Sequence, residues 1–168
     1  MLEIDYEGVE SLSSVRTNFF FGNFLPSASF PAVFAEQFDN ISEDRFDDDK
    51  EHFLAHFGDQ SIVCYFEMIF DVRGIRIQNG IIAESAYAPD GAVIMPPGHY
   101  AFGSAYDAAG EMRLMVNLLE HDIHFGKIFV WPLAHNTLGE GDNTRGLGFV
   151  ADTLDGFVAA LATESTLM

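Results

Sequence analysis

The stretch from Gly126 to Leu161, GKIFVWPLAHNTLGEGDNTRGLGFVADTLDGFVAAL, constrains the fold of this chain more than any other. Ile128, Phe129, Val130 and Trp131 are apolar without alternation, as in a strand covered on both faces. Pro132 has no N–H to donate and so opposes continued central pairing. Leu133 to Gly146 holds three glycines, two asparagines and Asp142, the composition of a loop. Leu147, Phe149 and Val150 return to a strand-like run. Asp152 is placed to cap a following helix, with Asp155 adding favourable charge near its N-terminus. Leu154, Phe157, Val158 and Leu161 stand at i, i+3, i+4 and i+7, one face of that helix.

Upstream, the local patterns divide the chain in two. Phe30, Val33, Phe34 and Phe38 fit one helical stripe, with Ser29 as cap and Pro31 in the first turn. Ser42 can cap a second helix with Glu43 and Asp44 in its first turn and Phe46, Phe53, Leu54 and Phe57 inward, stopped at Gly58. From Ser61 the pattern becomes strand-like. Ile62 to Phe70 is rich in β-branched and aromatic residues. Ile75 and Ile77 alternate with Arg76, and Asn79-Gly80 reads as a hairpin turn into Ile81 and Ile82. Tyr100 and Phe102 lead to a turn at Asp107 to Gly110. Met112, Leu114, Val116 and Leu118 then alternate with more polar neighbours as a half-buried strand. The expectation is a single α+β domain over 1–168. Residues 1–60 supply N-terminal helices, 61–151 a central, mostly antiparallel sheet, and 152–164 a C-terminal helix packed on that sheet.

Composition bounds the function. At 168 residues and 48% hydrophobic, the chain can bury a real core and is not disordered. The longest apolar candidate, Ile62 to Phe70, is too short to span a bilayer and carries Glu67. Cys64 is the only cysteine, so no internal disulfide is possible. With an acidic N-terminus unlike a secretory signal, these features predict a cytoplasmic protein. Twenty-six acidic side chains against eight Lys and Arg give a net charge of −18. Such a surface repels nucleic acid and anionic membranes and favours basic partners.

No set of residues forms a convincing active site. His121 and His124 in HDIH, with His135 or Asp142 as further ligands, could hold a metal only on a suitable backbone, and a loop there reads as a solvated polar segment. The run Asp47-Asp48-Asp49 lacks the spacing, glycine and closing Glu of an EF-hand loop. Cys64 lies in an apolar run and reads as a buried, inert thiol, although His52 and His56 are near in sequence. Ser11 to Ser14 lacks a nucleophile elbow, and Gly139-Glu140-Gly141 carries an acid where a phosphate cradle needs none. The expectation is no catalytic residues, no metal and no cofactor. Glu43, Asp44, Asp47, Asp48 and Glu51 are instead the expected partner-binding residues, on the outer face of the second helix.

Three features in order support a family resemblance: Ala101-Phe102-Gly103-Ser104 leading through Asp107 and Gly110 into Met112 to Leu118; the glycine-led strand Gly126 to Trp131; and Phe149-Val150-Ala151-Asp152 followed by Phe157 and Leu161. In these, Tyr100 to Leu161 resembles the SUKH superfamily, which includes fungal cell-wall-synthesis regulators and bacterial immunity proteins. The resemblance implies a SUKH-like fold in which Trp131 and Phe157 are core residues. It also implies binding without catalysis, as in an immunity protein neutralising a basic, nuclease-type toxin domain. The alternative, from another class, is a regulatory scaffold that binds an endogenous protein.

Overall fold

The computed structural model describes residues 11–12, 30–83, 98–132 and 146–168. Six strands form a closed antiparallel barrel in sequence order: β1 (His52–Phe57), β2 (Gln60–Ile69), β3 (His99–Asp107), β4 (Gly110–Asn117), β5 (Ile128–Pro132) and β6 (Gly148–Ala151). β6 returns to β1 through His56 opposite Phe149, which closes the wall. The helices are few and short: α1 (Ala32–Asp39), α2 (Val72–Ala83), α3 (Leu154–Ala160) and α4 (Glu164–Leu167).

This corrects the expected α+β architecture of N-terminal helices, central sheet and packed C-terminal helix. The decisive element is β1. In place of a helix from Ser42 to Gly58 there is a single 3-10 turn, Glu43–Arg45, then a loop and a strand. The Asp run favours local bonds over a helix: the Asp49 N–H donates to Asp47 Oδ1 at 3.2 Å, and Lys50 pairs with Asp47 at 3.2 Å. Phe53 and Ala55 are then buried in alternation, which is a period of two. A helix here would have left β2 and β6 as open edges; a strand pairs with both.

α2 is the second correction, replacing the expected hairpin at Asn79-Gly80. Asp71 Oδ1 accepts the Gly74 N–H at 2.6 Å and starts the helix. Val72, Ile75, Arg76 and Asn79 are all buried, at i, i+3, i+4 and i+7. Asn79 does more than fill space. The β3–β4 register shifts between Ala101 and Gly103. Beside that irregularity the Asn79 amide donates to Ala101 O at 2.6 Å and to Ile75 O at 2.7 Å, while its Oδ1 accepts the Ala101 N–H at 2.9 Å.

The core fills the barrel and continues under the helices. Phe53, Cys64, Tyr100, Phe102, Leu114 and Val130 belong to it, together with Phe34 of α1. From α3, the stripe Leu154, Phe157, Val158 and Leu161 is buried as its spacing predicts. Phe157 meets Phe53 and Phe66 edge-on at 5.2 and 5.6 Å. The α3 cap is Thr153 rather than Asp152, its Oγ1 accepting the Gly156 N–H at 2.9 Å. Val33, expected inside the α1 stripe, is exposed, while Phe34 and Ala35 are buried. A smaller cluster of Ala101, Met115, Phe129 and Trp131 lies on the outer side of β3–β5. Trp131 and Phe157 are thus both buried residues. No helix is long and apolar enough to cross a membrane among the described residues. Ser29, expected to cap α1, lies outside the described residues.

Candidate docking face on the barrel wall

Outward-facing residues of four adjacent strands form one continuous row. His52 of β1 stands opposite Tyr65 of β2, Tyr65 opposite Tyr106 of β3, and Tyr106 opposite Glu111 of β4. Period-two alternation puts all four on the outer wall, because their neighbours Phe53, Cys64, Phe66, Ala105 and Met112 are buried inside. The His52 end is held by the chain after α3. The His52 N–H donates to Ala162 O at 3.0 Å and the Ala162 N–H returns to His52 O at 2.8 Å.

The rings touch along the row. The Tyr65 and Tyr106 centroids are 4.7 Å apart with a tilt of 32°, and His52 meets Tyr65 edge-on at 5.3 Å. Tyr106 remains 40% exposed, and Met68, opposite Ser104 further along β2, is 48% exposed, so the row is an accessible aromatic surface rather than a buried seam. Carboxylates frame it. The Glu51 carboxylate accepts a hydrogen bond from the Tyr65 hydroxyl, which pushes the Tyr65 pKa up to about 12, with smaller contributions from desolvation and from the charge of Glu51. Glu67 accepts from Ser104 Oγ at 2.7 Å. Glu111 ends the row and is paired with Arg113, whose side chain is 10% exposed. Arg113 also lies over the Phe70 ring at 5.9 Å.

Of the five acidic residues expected to bind a partner, Glu51 joins this row. Glu43 and Asp44 lie on the 3-10 turn and Asp47 and Asp48 on the loop that follows, all exposed, and no helix presents them. The Asp47 carboxyl is held below its ordinary value, first by the Asp49 backbone N–H and then by Lys50. The turn is fastened to α3 by Arg45, which pairs with Asp155 at 2.7 Å. It therefore forms an acidic shoulder leading into β1 and the row. Tyr65, Tyr106 and Glu111 were not anticipated from the sequence, since only the strand register brings them together.

The other candidates are placed differently. His121 and His124 lie exposed in the β4–β5 loop, His121 with a positive φ of 67°. The His124 N–H is held by Asp122 Oδ1 at 2.7 Å. His135 and Asp142 lie outside the described residues, as do Ser13, Ser14 and the Gly139–Gly141 segment. Among the described residues no three His, Cys, Asp or Glu side chains are grouped to hold a metal. Cys64 is fully buried, with its thiol 3.8 Å from the Met112 sulfur. His56 Nδ1 and Ser61 Oγ are 2.8 Å apart on the surface.

Comparison of the chain with protein-family models, with curated proteins and with solved structures found no match.

Proposed function

We propose that this chain is a non-catalytic protein-binding domain that takes a basic partner on the outer wall of β1–β4. The observation that carries this is the accessible Tyr65–Tyr106 pair framed by Glu51, Glu67 and Glu111. Aromatic side chains with fixed rotamers suit interface centres, and carboxylates around them select cationic surfaces. A net charge of −18 supports the same choice at long range, by accelerating encounter with a positive body. A nuclease-type toxin domain, whose surface is basic because its substrate is polyanionic, is the partner class this chemistry suits best. Neutralisation would then follow from occupying the toxin's substrate groove.

The test is affinity capture from the producing cells, run in parallel with wild type and the double variant Glu51→Lys/Tyr106→Ala. The expected result is one stoichiometric partner of net positive charge that is retained by wild type and lost from the variant. Arrested growth on expression of that partner alone, with rescue by this chain, would establish the toxin form. An acidic partner, or equal retention by wild type and variant, would reject the reading.

A further inference from the structure

The same fold twice places a cation over an aromatic ring beside a carboxylate. Arg113 lies 5.9 Å over Phe70 and pairs with Glu111, and Lys127 lies 5.7 Å over Phe149 and 3.0 Å from Asp152. The Tyr65–Tyr106 pair has the rings and the carboxylates of that arrangement. Among the described residues, no cation of this chain lies over either ring. We infer that the pair is a receptor for an arginine side chain supplied by the partner, its guanidinium stacked on the exposed ring of Tyr106 and bonded to Glu51. This rests on the reading that the wall of β1–β4 binds a basic protein.

The geometry favours guanidinium over ammonium. The Tyr65 and Tyr106 rings are 4.7 Å apart with a tilt of 32°, and Tyr106 is 40% exposed, so a flat ring face can be reached from solvent. A planar, weakly hydrated guanidinium can lie on such a face and still direct N–H groups sideways, whereas an ammonium is a compact, strongly hydrated point charge. Glu51 is positioned for those N–H groups. Its backbone oxygen accepts the Phe66 N–H at 2.6 Å, which anchors Glu51 beside the row, and its carboxylate raises the Tyr65 pKa by accepting from the hydroxyl. Glu111 is less available because Arg113 already neutralises it. This assigns Glu51 the bonding role and Tyr106 the stacking role.

The probe is a pair of peptides of equal length, one of arginine and one of lysine, titrated against the intact protein at low salt. Wild type is expected to bind the arginine peptide about tenfold more tightly. Tyr106→Phe, which keeps the ring, should retain that preference, and Tyr106→Ala should abolish it. Proton NMR of wild type supplies a reading that needs no variant, because the ring resonances of Tyr65 and Tyr106 should shift with the arginine peptide and much less with the lysine peptide. Equal binding of both peptides, a preference that survives Tyr106→Ala, or unmoved ring resonances would overturn the arginine receptor and leave the basic-partner reading standing. Failure of both peptides to bind at low salt would overturn both.

Discussion

Two tyrosines of this barrel resist ionisation for different reasons, and the difference separates a surface role from a core role. Tyr100 is fully buried, and desolvation pushes its pKa up to about 12. Tyr65 also reaches about 12, mainly because its hydroxyl donates to the Glu51 carboxylate. Alkaline titration followed by tyrosinate absorbance should therefore show Tyr65 and Tyr100 ionising near 12, provided the fold persists. Glu51→Gln should return Tyr65 toward the ordinary value near 10 and leave Tyr100 unmoved. The sign of the linkage follows. A folded pKa above the unfolded one means that the Tyr65–Glu51 bond stabilises the fold fully below pH 10 and is lost as pH rises through about 12. Asn79 is the residue on which packing depends most visibly, with no exposed surface and bonds to both backbone groups of Ala101. Asn79→Ala leaves those groups unpaired and should cost about 2–3 kcal/mol, read from the midpoint of urea unfolding at constant slope.

At the scale of elements, the seam between β1 and β6 is where the barrel closes, and Gly148 shows how closely it is packed. A Cβ at Gly148 would lie 2.5–2.9 Å from three atoms of the Phe57 ring. Gly148→Ala should destabilise by about 1–3 kcal/mol, whereas Gly58→Ala, in the open β1–β2 turn, has space and is strained only by its positive φ of 58°. A thermal melt of the two variants would show whether the seam or the turn is more sensitive. The same seam explains what the sequence could not reveal. β4 and α3 were legible because their apolar patterns admit one periodicity, and β5 because its short continuous apolar run ends at Pro132. β1 was not: Phe53, Leu54 and Phe57 also fit a helical stripe, and Ser42 with Glu43 and Asp44 imitates a helix start. The choice of strand comes from Phe149, ninety-three positions from its partner His56, a pairing no local pattern records. α2 failed in the opposite direction. Asn79-Gly80 is a strong turn signal, and a buried amide docked on Ala101 outweighed it. The docking face is less legible still. Glu51 was visible as one of a run of acids, but Tyr65, Tyr106 and Glu111 become neighbours only through register.

For the whole molecule, a net charge of −18 acts on folding and on binding with opposite signs. Within one barrel the like charges repel, so the charge works against the compact state. Between this chain and a basic partner it attracts, so it works for the complex. Salt weakens both effects, because the Debye length falls from about 30 Å near 10 mM to about 8 Å near 0.15 M. Raising salt over that range should therefore raise the melting temperature of the free protein while weakening its binding to a basic partner. Acidification toward the isoelectric point near 4.3 should slow association in the same way, as carboxylates lose their charge. The paired measurement discriminates between mechanisms. A wall that docked mainly through Met68 and the tyrosine rings would bind as well or better in high salt, since apolar contact is not screened. Charge-led docking requires the two curves to diverge. If the melting temperature rises with salt while affinity stays constant, the acidic surface contributes to solubility alone and the aromatic row must supply the binding.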